Sequence, residues 1–481
     1  MKKLVRQLPF YSILKRPSFW LIIVLFFSAF WRFWRLDFPP SYYFDEVYHV
    51  VTAKLMAQND PRAYEWWHSP PEPETAIDWL HPPLAKLTQA ASILLLGNHS
   101  YAWRFSSAVF GVGVIFLIYQ LAKKIGLGER AAALAAALAS LDGLLLTMSR
   151  ITMNDIHVTF FMLLTLWLYL KWKDKPDFKN TFLVGAGAGF ASASKWSGIF
   201  VLLPIVVDQL ILLLQAKAVS TSWTSKKLKD QITKSFDLLS SVLLLVPLIY
   251  LGSYAQMFWQ GHDLAHWWEL HQQIWYYQTH LEATHPYQSS PWQWIINARP
   301  VYSYTESVLP DNNDNPQMLN MYIQGNHLLF WAGLVAVIFY VSEISLRILK
   351  LAITTFQLAN ETKTKIIKQT RTSLSAQKRS FKQLTPLLFI LVTYLSFWTP
   401  WLLSPRIMFF YHYTPAVPLL CIILASLLVR GWDLGGKLNF FVIAVVLAIA
   451  INFGLFIPNW TGRIVTQDFA QQIYFPIKSW R

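Results

Sequence analysis

The sequence predicts an all-α polytopic membrane protein, with about eleven spans and two long polar loops on one side of the bilayer. Three observations predict it. Of the 481 residues, 54% are hydrophobic and only 14% charged, against about 25% charged in a soluble globular chain. Apolar runs close to the ~20 residues that cross a hydrocarbon core recur along the whole chain. The basic residues concentrate in alternate connections between those runs, as the positive-inside rule requires.

The first run, about 18–36, follows a basic segment, Met1 to Pro17, without a small-residue cleavage site, and reads as an uncleaved signal anchor. Further runs lie at about 103–122, 131–148, 152–172, 197–215, 236–256, 327–350, 384–402, 407–429 and 437–457. A shorter one at about 181–194 is broken from its successor by Lys195 and Gly198. With the N-terminus cytoplasmic, most of the 41 Lys and Arg fall on the inner side, including the basic loop 351–383. The C-terminus and the long loops 37–102 and 257–326 then lie on the non-cytoplasmic side of a plasma (inner) membrane. The net charge of +15 is therefore spread over inner connections rather than gathered into a nucleic-acid-binding face. No soluble domain of ordinary size interrupts residues 1–481, and lone Cys421 excludes an intramolecular disulfide.

Within the first loop, Pro82-Pro83 opens an apolar stretch ending at Leu96, too short to span and read as a helix lying at the interface. The second loop is rich in rings: Trp259, Trp267, Trp268, Trp275, Tyr276, Tyr277, Trp292 and Trp294. Most suit headgroup-level anchoring, and a few suit stacking on a sugar.

Charges at the outer ends of spans demand a partner or a use, because charge near lipid is costly. They are Asp45, Glu46, Arg104, Asp142, Arg150, Asp155, Lys195 and Arg406. They could pair among themselves. Together they also suit a phosphate beside a proton acceptor, since Arg and Lys neutralise phosphate while a carboxylate takes a proton. Glu46 and His49 are three apart, and His262, His266 and His271 lie in the second loop, but no HExxH or Asp-x-Asp pattern accompanies them. No metal and no cofactor is expected.

Phe44-Asp45-Glu46, Asp78-Trp79-Leu80-His81-Pro82-Pro83-Leu84-Ala85-Lys86, Arg104-Phe105, Ser149-Arg150 with Asp155, Lys195-Trp196 and Arg406 to Pro415 occur in that order. His285 to Trp292 with Arg299-Pro300 adds a further element. Together they resemble the protein O-mannosyltransferase family, of the GT-C class of membrane glycosyltransferases. The resemblance runs from about residue 30 to 460. It implies inverting, metal-free transfer of mannose from a polyprenyl-phosphate donor to Ser or Thr hydroxyls of exported proteins, with membrane lipids and the secretion machinery as surroundings. Eukaryotic members carry a β-trefoil domain in a large outer loop; the loop 257–326 is too short for one, so the chain resembles the compact bacterial form.

On this resemblance Asp45 is the base, and Glu46 orients it or the acceptor. Arg104, Arg150, Lys195 and Arg406 neutralise the donor phosphate. Asp78, His81, Asp155 and His412 line the acceptor and sugar pocket, with His81 as a rigid wall. Two alternatives stand beside it. Another GT-C transferase would move an aminosugar or pentose onto lipid or glycan. A transporter or flippase would show paired broken helices in its two halves, whereas only the segment near Lys195 is broken.

Overall fold

A computed structural model describes residues 17–218, 225–310, 315–360, 385–477 and 480. The basic N-terminal segment before Pro17 and most of the loop 351–383 lie outside the described residues.

Helix α1 (Pro17–Phe33) leads into the first long loop, which holds α2 (Glu46–Ala57) and α3 (Leu84–Leu96). The chain then runs back and forth through α4 (Ser100–Ile125), α5 (Gly128–Ser140), a short α6 (Gly143–Met148), α7 (Asp155–Asp174), α8 (Phe178–Ser194), α9 (Leu202–Ala218) and α10 (Lys226–Gly252). The second long loop contains α11 (Ala255–Trp259), α12 (Leu264–His280), α13 (Pro291–Ile295) and two strands, β1 (Val301–Glu306) and β2 (Gln317–Ile323). Helices α14 (His327–Asn360), α15 (Thr385–Leu403), α16 (Val417–Leu434) and α17 (Lys437–Trp460) complete the bundle, and β3 (Val465–Thr466) follows.

Seven described helical segments are long and apolar enough to cross a membrane. The expected spans at 18–36, 131–148, 152–172 and 181–194 are also helical but shorter or more polar. The run 131–148 is not one helix. Asp142 stops it by accepting the Leu145 N–H (2.8 Å) as an N-cap, and its other oxygen accepts the Asn326 N–H (3.1 Å), tying α6 to the start of α14. The break at Lys195 occurs as the sequence suggests: Lys195 is extended (φ −163°, ψ 143°) between α8 and a 3-10 turn, Trp196–Val201.

The second loop departs from an all-helical expectation. β1 and β2 pair antiparallel from Val301↔Ile323 to Glu306↔Leu319, and β3 extends the sheet through Met318↔Val465. Val301-Tyr302-Ser303-Tyr304 alternates buried and half-buried, the period-2 pattern of a strand with one covered face.

Helix α3 is amphipathic in the reverse sense to a soluble surface helix. Lys86 and Gln89 are buried, while Leu94 and Leu95 are 69% and 83% exposed, as suits a helix whose outer face meets lipid and whose inner face meets a polar site. Asp208, which sequence leaves without a role, is buried and paired: it accepts from Tyr169 Oη (2.5 Å) and Lys173 Nζ (2.6 Å).

The first loop is fixed by two arginines. Arg104 on α4 is fully buried and grips Glu46 with Nε and Nη2, both at 2.8 Å. Its remaining donors reach the carbonyls of Leu36, Pro39 and Ser41 at 2.8–3.1 Å. Glu46 also accepts the backbone N–H of Thr152 (3.0 Å). Arg150 donates to the carbonyls of Trp31, Arg32, Trp34 and Arg35 at 2.7–3.2 Å. Buried charges of this kind persist only where most of their hydrogen-bonding groups find partners.

Removing one member of the Glu46–Arg104 pair leaves a buried charge uncompensated. Arg104→Met is expected to destabilise the protein by about 3–5 kcal/mol, seen as a lower midpoint of thermal unfolding in detergent; an unchanged midpoint would contradict the brace.

Candidate active site

Asp45 occupies the N-cap position of α2, yet its side chain caps nothing. The aspartates in the same position at α6, α8 and α12 (Asp142, Asp177 and Asp263) all accept a backbone N–H from their own helix. Phe44, immediately before, is left-handed (φ 53°), a conformation costing a non-glycine residue on the order of 1–2 kcal/mol. Its ring packs edge-on against Tyr411 (5.9 Å). The backbone thus turns the Asp45 carboxylate out of the cap and toward Tyr411, whose hydroxyl donates to Oδ2 at 3.5 Å.

Around Asp45 the breaks between helices converge. Asp155 opens α7 and accepts from Lys195 Nζ at 2.8 Å; that ammonium also lies 5.6 Å from the centre of the Tyr411 ring. Burial pushes the Asp45 carboxyl up to about 6, with the charges of Asp78 and Asp155 adding to the rise and those of His49 and Lys195 opposing it. A carboxylate in that range is ionised at neutral pH yet more basic than an ordinary aspartate.

A second carboxylate has the opposite surroundings. Asp78 is buried, with His81 Nδ1 at 3.0 Å, His49 Nδ1 at 3.0 Å and Lys86 Nζ at 2.6 Å. Burial alone would raise it, but the imidazoles of His81 and His49 and the Lys86 ammonium around it hold it well below the usual carboxylate range. Burial in turn pushes His81 down to about 4, so its ring is neutral at neutral pH. With Nδ1–H donated to Asp78, Nε2 is left as an acceptor on a ring about a quarter exposed.

The remaining expected residues separate into two groups. Lys195 and Arg406 stay with the site. Arg406 donates to Gln278 of α12, while its Nε has no hydrogen-bond partner among the described residues, and its charge acts on both Tyr411 and His412. Arg104 and Arg150, expected at the donor phosphate, have their guanidiniums engaged by Glu46 and backbone carbonyls and face the brace instead. Glu46, expected to orient Asp45 or the acceptor, is fully buried and turned to Arg104. His412 is packed between Trp294 (6.0 Å, 11°) and Tyr411 (4.7 Å, 20°), its Nδ1 3.0 Å from the Phe409 carbonyl. It is a wall of the pocket.

Sequence reasoning did not single out Tyr411 or Lys86, and it weighed His49 only with Glu46 as a possible metal pair. His49 is four residues from Asp45, one helical turn, and that spacing rather than its separation of three from Glu46 was the signal. The loop histidines hold structure: His262 meets Glu65 (2.9 Å), His266 the Tyr64 carbonyl (3.1 Å) and His271 the Tyr250 hydroxyl (2.8 Å). They fasten the second loop over the first.

A bundle of membrane-length helices whose long loops bring one basic carboxylate beside Lys195 and Arg406 fits a glycosyltransferase of the GT-C class. The fold agrees with that of the Saccharomyces cerevisiae protein O-mannosyltransferase Pmt1-Pmt2 complex bound to the sugar donor, at 15% identity and a TM-score of 0.73, covering 96% of this chain and 92% of that one. The Archaeoglobus fulgidus oligosaccharyltransferase also aligns (TM-score 0.53, 13% identity), over 96% of this chain and 58% of that one.

Residues 22–261 match the family described as dolichyl-phosphate-mannose-protein mannosyltransferase, and residues 263–475 match the C-terminal four TMM region of protein-O-mannosyltransferase. The chain belongs to the protein O-mannosyltransferase family. It is 21% identical to a polyprenol-phosphate-mannose–protein mannosyltransferase of Corynebacterium glutamicum over 84% of this chain and 81% of that protein. It is 25% identical to the protein of the same name from Mycolicibacterium smegmatis over 46% of this chain and about half, 52%, of that protein.

The Asp78 cluster carries its own test. Asp78→Ala leaves Lys86 buried without its anion, and is expected to lower stability by about 3 kcal/mol or more; a Lys86→Met change in the same chain should recover part of the loss. Equal unfolding midpoints for wild type and Asp78→Ala would contradict the pairing.

Proposed function

We propose that this protein is an inverting glycosyltransferase that moves mannose from a polyprenyl-phosphate-mannose donor to Ser or Thr hydroxyls of exported polypeptides. The observation that carries the reading is the uncapped, half-buried Asp45 beside Lys195, within a chain of this family. A Ser or Thr hydroxyl is a poor nucleophile until its proton is taken during attack. Asp45 accepts that proton while the hydroxyl oxygen attacks the anomeric carbon from the side opposite the phosphate. The bond from that carbon to the phosphate oxygen breaks, and its electron pair leaves with the polyprenyl phosphate. The departing group needs charge neutralisation rather than a strong acid, and Lys195 and Arg406 supply it.

The neutral His81, with Nε2 as acceptor, suits a hydroxyl of the acceptor or sugar, and Asp155 holds Lys195 in place. Tyr411 and His412 give the pocket a flat aromatic wall. The site lies on the non-cytoplasmic face of the plasma membrane, with the N-terminus cytoplasmic. Acceptors meet it as they emerge from the secretion machinery. This placement rests on the distribution of basic residues in the sequence.

The test is transfer from polyprenyl-phosphate-mannose to a Ser/Thr peptide by the purified, lipid-reconstituted protein. Asp45→Asn is expected to lower kcat by ~10²- to 10⁴-fold without loss of folded protein, and near wild-type turnover would sink the assignment. Because the base must be ionised, kcat/KM should fall as pH drops through about 6 and level off above it. Lys195→Met should weaken transition-state stabilisation and so depress kcat/KM; unchanged values would remove it from the phosphate.

A further inference from the structure

A second basic feature lies at the loop-side ends of α1 and α17, apart from the reaction site. The two helices meet through aromatic side chains, with Phe27 and Trp31 against Phe453 at ring separations of 5.6 and 6.0 Å. Beyond these rings, two guanidiniums lie near Trp34. Arg35 lies 5.7 Å from its ring centre and 4.8 Å from that of Phe38, and Arg463, from the turn after α17, lies 5.4 Å from the Trp34 ring centre. Both arginines are exposed. Neither guanidinium has a hydrogen bond or ion pair among the described residues, and exposed Asp37 pairs with neither.

The backbone keeps Arg35 in this position at some cost. Its φ is 50°, in the left-handed region, and its carbonyl is held there by Arg150 Nη2 at 3.0 Å. Along α1, Phe26, Phe30 and Trp34 fall on one stripe. Phe26 and Phe30 are 79% and 52% exposed, and Phe30 stacks on Trp34 (6.4 Å, 21°). On α17, Ile451 is 61% exposed.

An apolar stripe at membrane depth, an indole at its end and two unpaired guanidiniums beyond it match the layers of one lipid molecule. Acyl chain meets Phe26 and Phe30, the glycerol level meets Trp34, and a phosphate meets two planar cations able to donate in pairs. We propose that Arg35 and Arg463 form a binding site for the phosphodiester headgroup of an anionic glycerophospholipid in the leaflet that faces the active site. This site is independent of the transfer reaction, since neither arginine touches Asp45, Lys195 or Arg406.

The full-length protein in nanodiscs of phosphatidylcholine with a minority of phosphatidylglycerol provides the test, read by native mass spectrometry of retained lipid. Wild type is expected to retain a phosphatidylglycerol that R35Q/R463Q loses, with binding weakened roughly tenfold or more. The single R463Q variant, in an exposed turn, should show a smaller loss in the same direction and serves if the double variant does not fold. Equal retention by wild type and R463Q, or by wild type and a folded double variant, would overturn the site. Displacement of phosphatidylglycerol from wild type by polyprenyl phosphate at equal mole fraction would also overturn it, by assigning the pair to the donor lipid instead.

Discussion

The buried contact between Glu46 and Arg104 determines what the adjacent carboxylate is free to do. A fully buried ion pair adds little net stability, but breaking it strands a charge, so it acts as a locating pin. Through it α4 holds the start of α2, and through the carbonyls of Leu36, Pro39 and Ser41 it holds the chain leading there. Arg150 performs the same service for the end of α1. With the backbone on both sides so fixed, Phe44 can stay left-handed and Asp45 can leave its capping position.

Three aspartates near one another then acquire different tasks from their surroundings. Asp45 is raised by burial and by its like-charged neighbours; Asp78 is lowered by three cationic or potentially cationic side chains; Asp155 is spent on Lys195. Only the first combines a free oxygen with raised basicity. The Asp45-Glu46 dipeptide thus divides, with Asp45 left open for the proton acceptance proposed above and Glu46 engaged as a structural anchor. The division arises because successive residues at a helix start point in different directions.

Much of the architecture was legible in the chain. Apolar runs mark the helices, Lys195 marks the break between α8 and α9, and the order of Asp-Glu, His-Pro-Pro and Arg-Ile-Met-Phe-Phe-Tyr-His-Tyr elements marks the family. What could not be read was the direction in which each charge points. Arg104 and Lys195 both look like cations at the end of a span, but one meets Glu46 and three carbonyls while the other meets Asp155 and an aromatic face. Those partners lie 40 or more residues away along the chain, and pairing at that distance is set by tertiary packing rather than by local pattern. The short sheet was missed for a related reason: Val301–Glu306 becomes a strand by pairing edge to edge with β2, more than ten residues further on.

The account turns on Asp45 being the carboxyl that changes protonation near neutrality while Glu46 remains engaged with Arg104. Infrared-monitored titration of the purified protein addresses this without substrate. A carboxyl component that protonates near pH 6 is expected in the wild-type minus Asp45→Asn difference spectrum, and it should be retained in folded Glu46→Gln. A signal that survives Asp45→Asn and disappears in Glu46→Gln would contradict the assignment of the two carboxylates.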